Sequence, residues 1–256
     1  MEHYSVLLKE TIELLDIKPD GIYVDLTLGR GGHSSAILSK LKTGHLYSFD
    51  LDSEAIEKSR ARLKAINENF TLIHSNFANF LSELERIGVT EVDGITIDLG
   101  VSSPQFDEGE RGFSYRFDGP LDMRMDQSNP LTAKEIVNTY ELNDLTKVFR
   151  EYGEDSDSYR VAKRIVAERE KKPIETTFEL VDIIKKAKPG KSLDKKGHPA
   201  KQIFQALRIE TNHELDNLKE VLRSFDKILK KDGIIAIISF HSLEDRLVKE
   251  RFRELT

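Results

Sequence analysis

Acids that end apolar runs, and one glycine-rich bend between them, carry most of the chemistry in this chain. Asp25 closes Tyr23-Val24-Asp25, and the bend Gly29-Arg30-Gly31-Gly32-His33-Ser34 follows. Asp50 closes the next such run, His45-Leu46-Tyr47-Ser48-Phe49-Asp50. Glycines let a backbone come close to a ligand, because no Cβ stands in the way. A helix starting at Ser34 would aim its free N–H groups and its positive end into the same space. An acid about 20 residues past such glycines meets a ribose hydroxyl in nucleotide-binding α/β folds. The bend is not a dinucleotide fingerprint, because G-x-G-x-x-G/A needs Gly or Ala where Ser34 stands. Nor is it the phosphate-cradling loop G-x-x-x-x-G-K-[ST].

What is left is D-x-x-x-G-x-G-G with an acid after the second strand. It resembles the cofactor motif of S-adenosylmethionine-dependent methyltransferases, whose cofactor carries no phosphate. On this stretch alone, a ligand-free surface turn and a dinucleotide site remain open.

The elements that must position these residues alternate. Apolar spacing predicts a helix over 4–16, then a turn at Pro19-Asp20-Gly21. Strands are predicted at 22–28, 45–50, 70–74 and 94–98, with helices at 34–42, from a Ser53 cap to 66, and from 77 to 87. Strand–helix alternation of this kind means βαβ units and a parallel sheet. From Leu99 to about residue 130 the pattern breaks. Phe113, Tyr115, Phe117, Leu121, Met123 and Met125 make this stretch too apolar for disorder, so it reads as an ordered loop covering the cofactor cleft. Helices follow at 133–140 (Thr132 cap), 144–152 (Asn143 or Asp144 cap), 158–171 and 177–187. After a linker at 191–197, Pro199 opens a helix to 211, and another spans 213–230. The run 233–239 reads as a two-faced buried strand, and a last helix starts near Ser242. The fold class is therefore α/β, a Rossmann-like sheet interrupted by an all-helical insertion. Residues 1–105 and 199–256 form the sheet domain, and 106–198 the covering loop and inserted helices.

Composition excludes several classes. No apolar run approaches a membrane span, and Met1-Glu2-His3-Tyr4 lacks the basic start and apolar core of a secretory signal. Cysteine is absent, so there is no disulfide frame and no thiolate metal site. No His pair sits at ligand spacing on one helix, so no metal is expected. A cytoplasmic location is the default. The net charge of −6 argues against a broadly basic protein. Residues 159–201 are the exception: Lys and Arg outnumber acids there by seven. That is the footprint of a polyanion surface, or else a solvated helix face.

Long ungapped stretches carry a resemblance to one family. They are Asp25-Leu26-Thr27-Leu28-Gly29-Arg30-Gly31-Gly32-His33-Ser34, Asp98-Leu99-Gly100-Val101-Ser102-Ser103-Pro104-Gln105, Arg111-Gly112-Phe113-Ser114 and Asp118-Gly119-Pro120-Leu121-Asp122-Met123-Arg124-Met125. His198-Pro199-Ala200-Lys201-Gln202-Ile203-Phe204-Gln205-Ala206-Leu207-Arg208-Ile209 and Ser239-Phe240-His241-Ser242-Leu243-Glu244-Asp245-Arg246 complete the set. Together they resemble the ribosomal RNA small-subunit methyltransferase H family. The resemblance implies N4-methylation of one cytidine in the decoding region of 16S ribosomal RNA, within the small ribosomal subunit, with S-adenosylmethionine as donor. It also implies a helical substrate-recognition domain. It places Gly29, Gly31, Gly32, His33, Asp50, Phe77, Asp98 and Gln105 on the cofactor, with Asp50 on the ribose and Phe77 near the adenine. Asp98, Ser103, Pro104 and Asp118 fall to catalysis, and Arg124, Lys201, Arg208 and His241 to the substrate.

Bland readings stand beside these. Asp118, Asp122 and Arg124 also read as an internal ion-pair set, and His241-Ser242 as a strand end and helix cap. Other amino-methyltransferases carry an Asp/Asn-Pro-Pro-aromatic sequence after the fourth strand. Asp98-Leu99-Gly100-Val101-Ser102-Ser103-Pro104 departs from it, which leaves the proton acceptor open. Family members continue into a basic segment and a final antiparallel strand, so this chain is expected to be C-terminally shortened. Lys185, Lys186, Lys188, Lys195 and Lys196 are expected to bind RNA, with Phe113, Tyr115 and Phe117 available to stack on bases. The alternatives are a DNA or small-molecule methyltransferase, and a non-catalytic ribosome-assembly factor that retains the pocket. A homodimer is compatible with the sequence, which does not set the oligomeric state.

Overall fold

The computed structural model describes residues 5–101, 103–193 and 197–256, with the side chains of Ser103 and Pro104 outside the description. Two compact units divide it: Met1–Ser102 with Leu215–Thr256, and Ser103–Glu214. These borders differ from 105/106 and 198/199, because the helix after Pro199 packs on the inserted helices.

The first unit holds α1 (Leu8–Leu15), β1 (Ile22–Asp25), α2 (Gly32–Leu38), β2 (His45–Asp50), α3 (Ser53–Lys64), β3 (Phe70–His74), α4 (Phe80–Arg86) and β4 (Val92–Asp98). The second unit holds α5 (Ser103–Asp107), α6 (Ala133–Thr139), α7 (Leu142–Glu151), α8 (Ser158–Arg169), α9 (Thr177–Ala187), α10 (Gly190–Leu193) and α11 (Lys201–Asn212). The chain then returns through α12 (Glu214–Ser224) to β5 (Leu229–Ile238) and α13 (Ser242–Glu254).

All pairings in the sheet are parallel, in the order β3-β2-β1-β4-β5. Side chains alternate across a strand, and both faces here are covered, which is why β1 and β4 carry near-continuous apolar runs. On one face Val24, Phe49, Ile95 and Ile97 pack with Phe80, Leu84, Leu218 and Leu222. On the other, Tyr23 and Leu46 pack with Leu15, Ile37, Leu38 and Leu63. Gly94 is a glycine because a Cβ there would lie 2.8 Å from the Tyr23 ring.

The second unit buries Ile136, Leu145, Phe149, Val161, Ile165, Leu180, Ile184, Ile203 and Leu207. Its long loop is ordered, with Phe113, Leu121 and Met123 buried. Thr132 caps α6, and Thr176 with Glu179 forms a capping box on α9. Several helix starts differ from expectation. Asp52, not Ser53, caps α3 by accepting from the Glu54 N–H. Glu141, not Asn143 or Asp144, precedes α7. Pro199 stands outside α11, whose N-cap is Ala200. Within the linker, residues 190–193 form the short α10. Where good capping types lie side by side, packing chooses among them.

Candidate active site

Strand parity gathers polar groups on one face of the first unit. Asp25, Ser48 and Thr96 sit side by side in register at the carboxyl ends of β1, β2 and β4. Asp50 and Asp98 stand two residues further along β2 and β4, hence on the same face. The opposite parity carries the apolar side chains that pack on α4 and α12. The polar groups lie on the other face, covered by α2, the helix that the glycine bend opens.

Each acid has a distinct environment. Asp25 is buried, and its carboxylate accepts from Ser34 Oγ at 2.6 Å and from the Thr27 N–H at 3.1 Å. Ser34 Oγ also meets Ser48 Oγ at 2.8 Å. This explains the departure from the dinucleotide fingerprint: a glycine at 34 would strip a buried carboxylate of its side-chain donor, leaving the Thr27 N–H. Burial still pushes the Asp25 carboxyl up from its ordinary range. Asp50 fastens the bend. Its two oxygens accept from the Gly29 N–H at 2.8 Å and the Asp52 N–H at 2.9 Å. Burial nonetheless pushes its carboxyl up to about 6, outweighing both hydrogen bonds.

Asp98 is held differently. Its backbone N–H donates to Thr27 Oγ1, but its carboxylate oxygen Oδ1 is buried and has no partner among the described residues. Oδ2 lies 3.8 Å from His33 Nδ1. Burial pushes this carboxyl up to about 6; His33 opposes the shift, while Asp25 and Glu244 add to it. A buried acceptor left unpaired costs about 1–3 kcal/mol, so such a group marks a place for an incoming donor or cation.

The glycine bend also packs against protein. A Cβ on Gly31 would meet Ser59 Oγ at 3.3 Å, and one on Gly32 would clash with Ser5 Oγ. Both gaps are filled by protein side chains. Gly31 also adopts φ 76°, a left-handed conformation that favours glycine. His33 is buried at the start of α2, with Nε2 3.1 Å from the Val6 carbonyl. Phe77 sits half-buried in the turn after β3, packed on the core. His241 caps α13, its Nδ1 accepting from the Glu244 N–H at 3.5 Å. Its Nε2 lies 3.0 Å from Glu244 Oε1 but outside hydrogen-bond geometry.

The remaining expected site residues belong to the second unit. Gln105 is buried there. Ser103 and Pro104 lie outside the described side chains. Asp118 accepts from the Phe178 N–H at 3.2 Å, at the start of α9. Arg124 is consumed by its own loop. It grips Asp122 through Nε and Nη2 and donates through Nη1 to the Gln127 and Asn129 carbonyls. Burial raises the Asp122 carboxyl, but the bonds from Arg124 outweigh it and hold the carboxyl below its ordinary value. Arg208 is likewise bound by Glu214 at 2.8 and 3.0 Å. Lys201 stands exposed at the start of α11.

The basic segment needs correction. The Lys188 side chain is buried and paired with buried Asp155, so it presents no charge to a ligand. Arg164 and Lys171 pair with Glu168, and Lys172 with Glu179. Lys185 and Lys186 stay exposed and form no ion pair among the described residues; Lys195 and Lys196 lie outside the description. Of the three aromatics, Phe113 is buried and Tyr115 stacks on His198 at 4.3 Å, which leaves Phe117 exposed. Sequence reading missed Ser34, Ser48 and Glu244 as site-forming groups. The signal available for the serines was parity with Asp25.

A parallel sheet whose carboxyl edge carries desolvated acids and no phosphate loop defines a nucleotide-binding α/β enzyme of the methyltransferase kind. The chain belongs to the MraW methylase family, which it matches over residues 1–256. It is 56% identical to the ribosomal RNA small subunit methyltransferase H of Streptococcus dysgalactiae subsp. equisimilis, over 98% of this chain and 81% of that protein. Among solved structures it is partly similar to an rRNA methylase from Streptococcus thermophilus. That likeness has 24% identity and a TM-score of 0.32, over 39% of this chain and 58% of the other. A SAM-dependent O-methyltransferase from Thermotoga maritima is similar at 15% identity and a TM-score of 0.33, over 38% and 37% of the two chains. Among the described residues no helix is long and apolar enough to cross a membrane.

Proposed function

We propose that this chain transfers a methyl group from S-adenosylmethionine to the exocyclic N4 of a cytidine in the decoding region of 16S rRNA, in the small ribosomal subunit of the cytoplasm. Family membership and the 56% identity to a small-subunit rRNA methyltransferase support the reaction class. The observation that carries the cofactor assignment is Asp98, whose buried Oδ1 has no partner among the described residues and whose Oδ2 faces His33. The donor set fits a cationic, phosphate-free nucleoside. Asp98 accepts from its polar groups, Asp50 takes the ribose hydroxyls, and the half-buried Phe77 lies against the adenine.

The cofactor, when bound, supplies an electrophilic methyl on its sulfonium. The chain supplies placement. Cytosine's amine is a poor nucleophile because its lone pair is delocalised into the ring. Holding it in line with the methyl supplies about 7–11 kcal/mol of the barrier. The base has to leave its stack to reach the sheet edge. The helical unit serves substrate recognition. Lys185 and Lys186 provide phosphate contacts, and exposed Phe117 and Phe178 provide faces for splayed bases.

The test is incubation of small ribosomal subunits with labelled S-adenosylmethionine, followed by digestion and identification of the labelled nucleoside. N4-methylcytidine is the expected product. Label in DNA or a small molecule, or cofactor binding without transfer to any acceptor, overturns the proposal.

A further inference from the structure

Phe240 stands out on the first unit: its ring is 54% exposed, although its backbone is firmly held. Its N–H donates to Glu244 Oε2 at 2.8 Å, and Glu244 is itself buried in the first turn of α13. The ring leans on Gly100, where φ is 106° and an added Cβ would meet Phe240 Cδ2 at 3.3 Å. Glycine at 100 thus makes room for the ring, and a buried carboxylate fixes the ring's root. An aromatic side chain rooted in this way, yet left in water, forgoes the burial that normally stabilises it.

Its position narrows what it faces. Ile238 pairs with Asp98 across β4 and β5, so Phe240 lies just beyond the acid, at the same carboxyl edge. Phe77 follows β3, at the other end of the strand order. Four strand spacings separate the β3 and β5 ends, about 19 Å, so the ring that meets the cofactor's adenine and Phe240 serve different groups. On the functional reading above, Phe240 stands beyond Asp98, away from the adenine end, where the acceptor base approaches the methyl.

We propose that Phe240 is the stacking platform for the extruded target base, a flat face on which the pyrimidine rests while its amine is lined up at Asp98. This deepens the functional reading above and rests on it. Stacking is indifferent to base identity, so Phe240 contributes to rate and base capture rather than to the choice of cytosine.

The test compares Phe240→Ala, Phe240→Leu, Phe240→Tyr and Phe240→Trp in the full chain. Methylation of small ribosomal subunits and calorimetry with S-adenosylmethionine are the two readouts. Ala and Leu are expected to lower kcat/KM for the particle about 5- to 150-fold, while Tyr and Trp stay within about threefold of wild type. Cofactor affinity is expected to be unchanged in all four. A Leu variant as active as wild type would show that bulk alone matters and overturns the assignment. So does an Ala variant whose loss of activity is matched by lost cofactor binding. An inactive wild-type chain would instead overturn the functional reading, and this assignment with it.

Discussion

Two carboxylates with buried oxygens, Asp98 and Asp155, divide the molecule by purpose. Asp155, in the helical unit, is paired with Lys188, and its Oδ1 accepts from the Asp157 N–H. Asp98, at the sheet edge, has an oxygen with no partner among the described residues and a carboxyl pushed up to about 6. Asp122 repeats the first pattern, gripped by Arg124. In the helical unit, then, charges that look like ligand-binding groups are spent on the fold. In the sheet unit the fold leaves an acid short of a partner. A carboxylate gripped on both sides by charge and hydrogen bonds is scaffolding, and one left with an unsatisfied buried oxygen is open to a ligand.

Removing one partner of the scaffold pair is the severest way to probe this contrast. Lys188→Ala should destabilise the chain by about 3–5 kcal/mol in urea unfolding, since it strands a buried carboxylate. Unchanged stability with weakened RNA binding would return Lys188 to the ligand surface and erase the distinction. The mirror experiment is Asp98→Asn. Loss of a charge-assisted contact should weaken S-adenosylmethionine binding about 10- to 150-fold. The unliganded chain should become no less stable at pH 8, and up to about 3 kcal/mol more stable. Destabilisation there would mean that Asp98 is scaffolding too.

The pH dependence sharpens the point, because stability and binding run in opposite directions. A carboxyl raised from 3.8 to about 6 favours the unliganded fold below pH 4, and that advantage is lost as pH rises through 6. A cationic ligand needs the ionised form. Its affinity should be full above about pH 7 and fall as pH drops through 6, by up to about tenfold per unit for each acid. Calorimetry from pH 5 to 8 measures this, and a flat profile would sever the acids from the ligand. The gentlest test is the double variant Lys185→Gln with Lys186→Gln. It should reduce the salt slope of RNA binding by about 1.4–1.8 and leave cofactor affinity unchanged. An unaltered slope would take both lysines off the RNA surface.

Much of the sheet unit was legible because its signals are local. Apolar runs, glycine bends and acids at strand ends place the four early strands and the returning one, and Asp50 emerged from its offset to the glycines alone. The capping residues were less legible: Asp52 and Ser53 are adjacent and equally able, and only the packed helix chose Asp52. Lys188 was misread because a lysine-rich stretch looks solvated, whereas α9 ends with this one residue turned onto Asp155. Ser34 was noticed as a mismatch, but its reason, Asp25 beneath it, needed coordinates.

By itself the sequence determined the parallel α/β class, the glycine bend without a phosphate loop, and the family, because periodicity and motif spacing are properties of short stretches. Only the tertiary structure decided which charges neutralise one another. Coulomb energy and desolvation depend on distance and burial, and residues 33 positions apart, such as Asp155 and Lys188, come within ion-pair reach only when the helices pack.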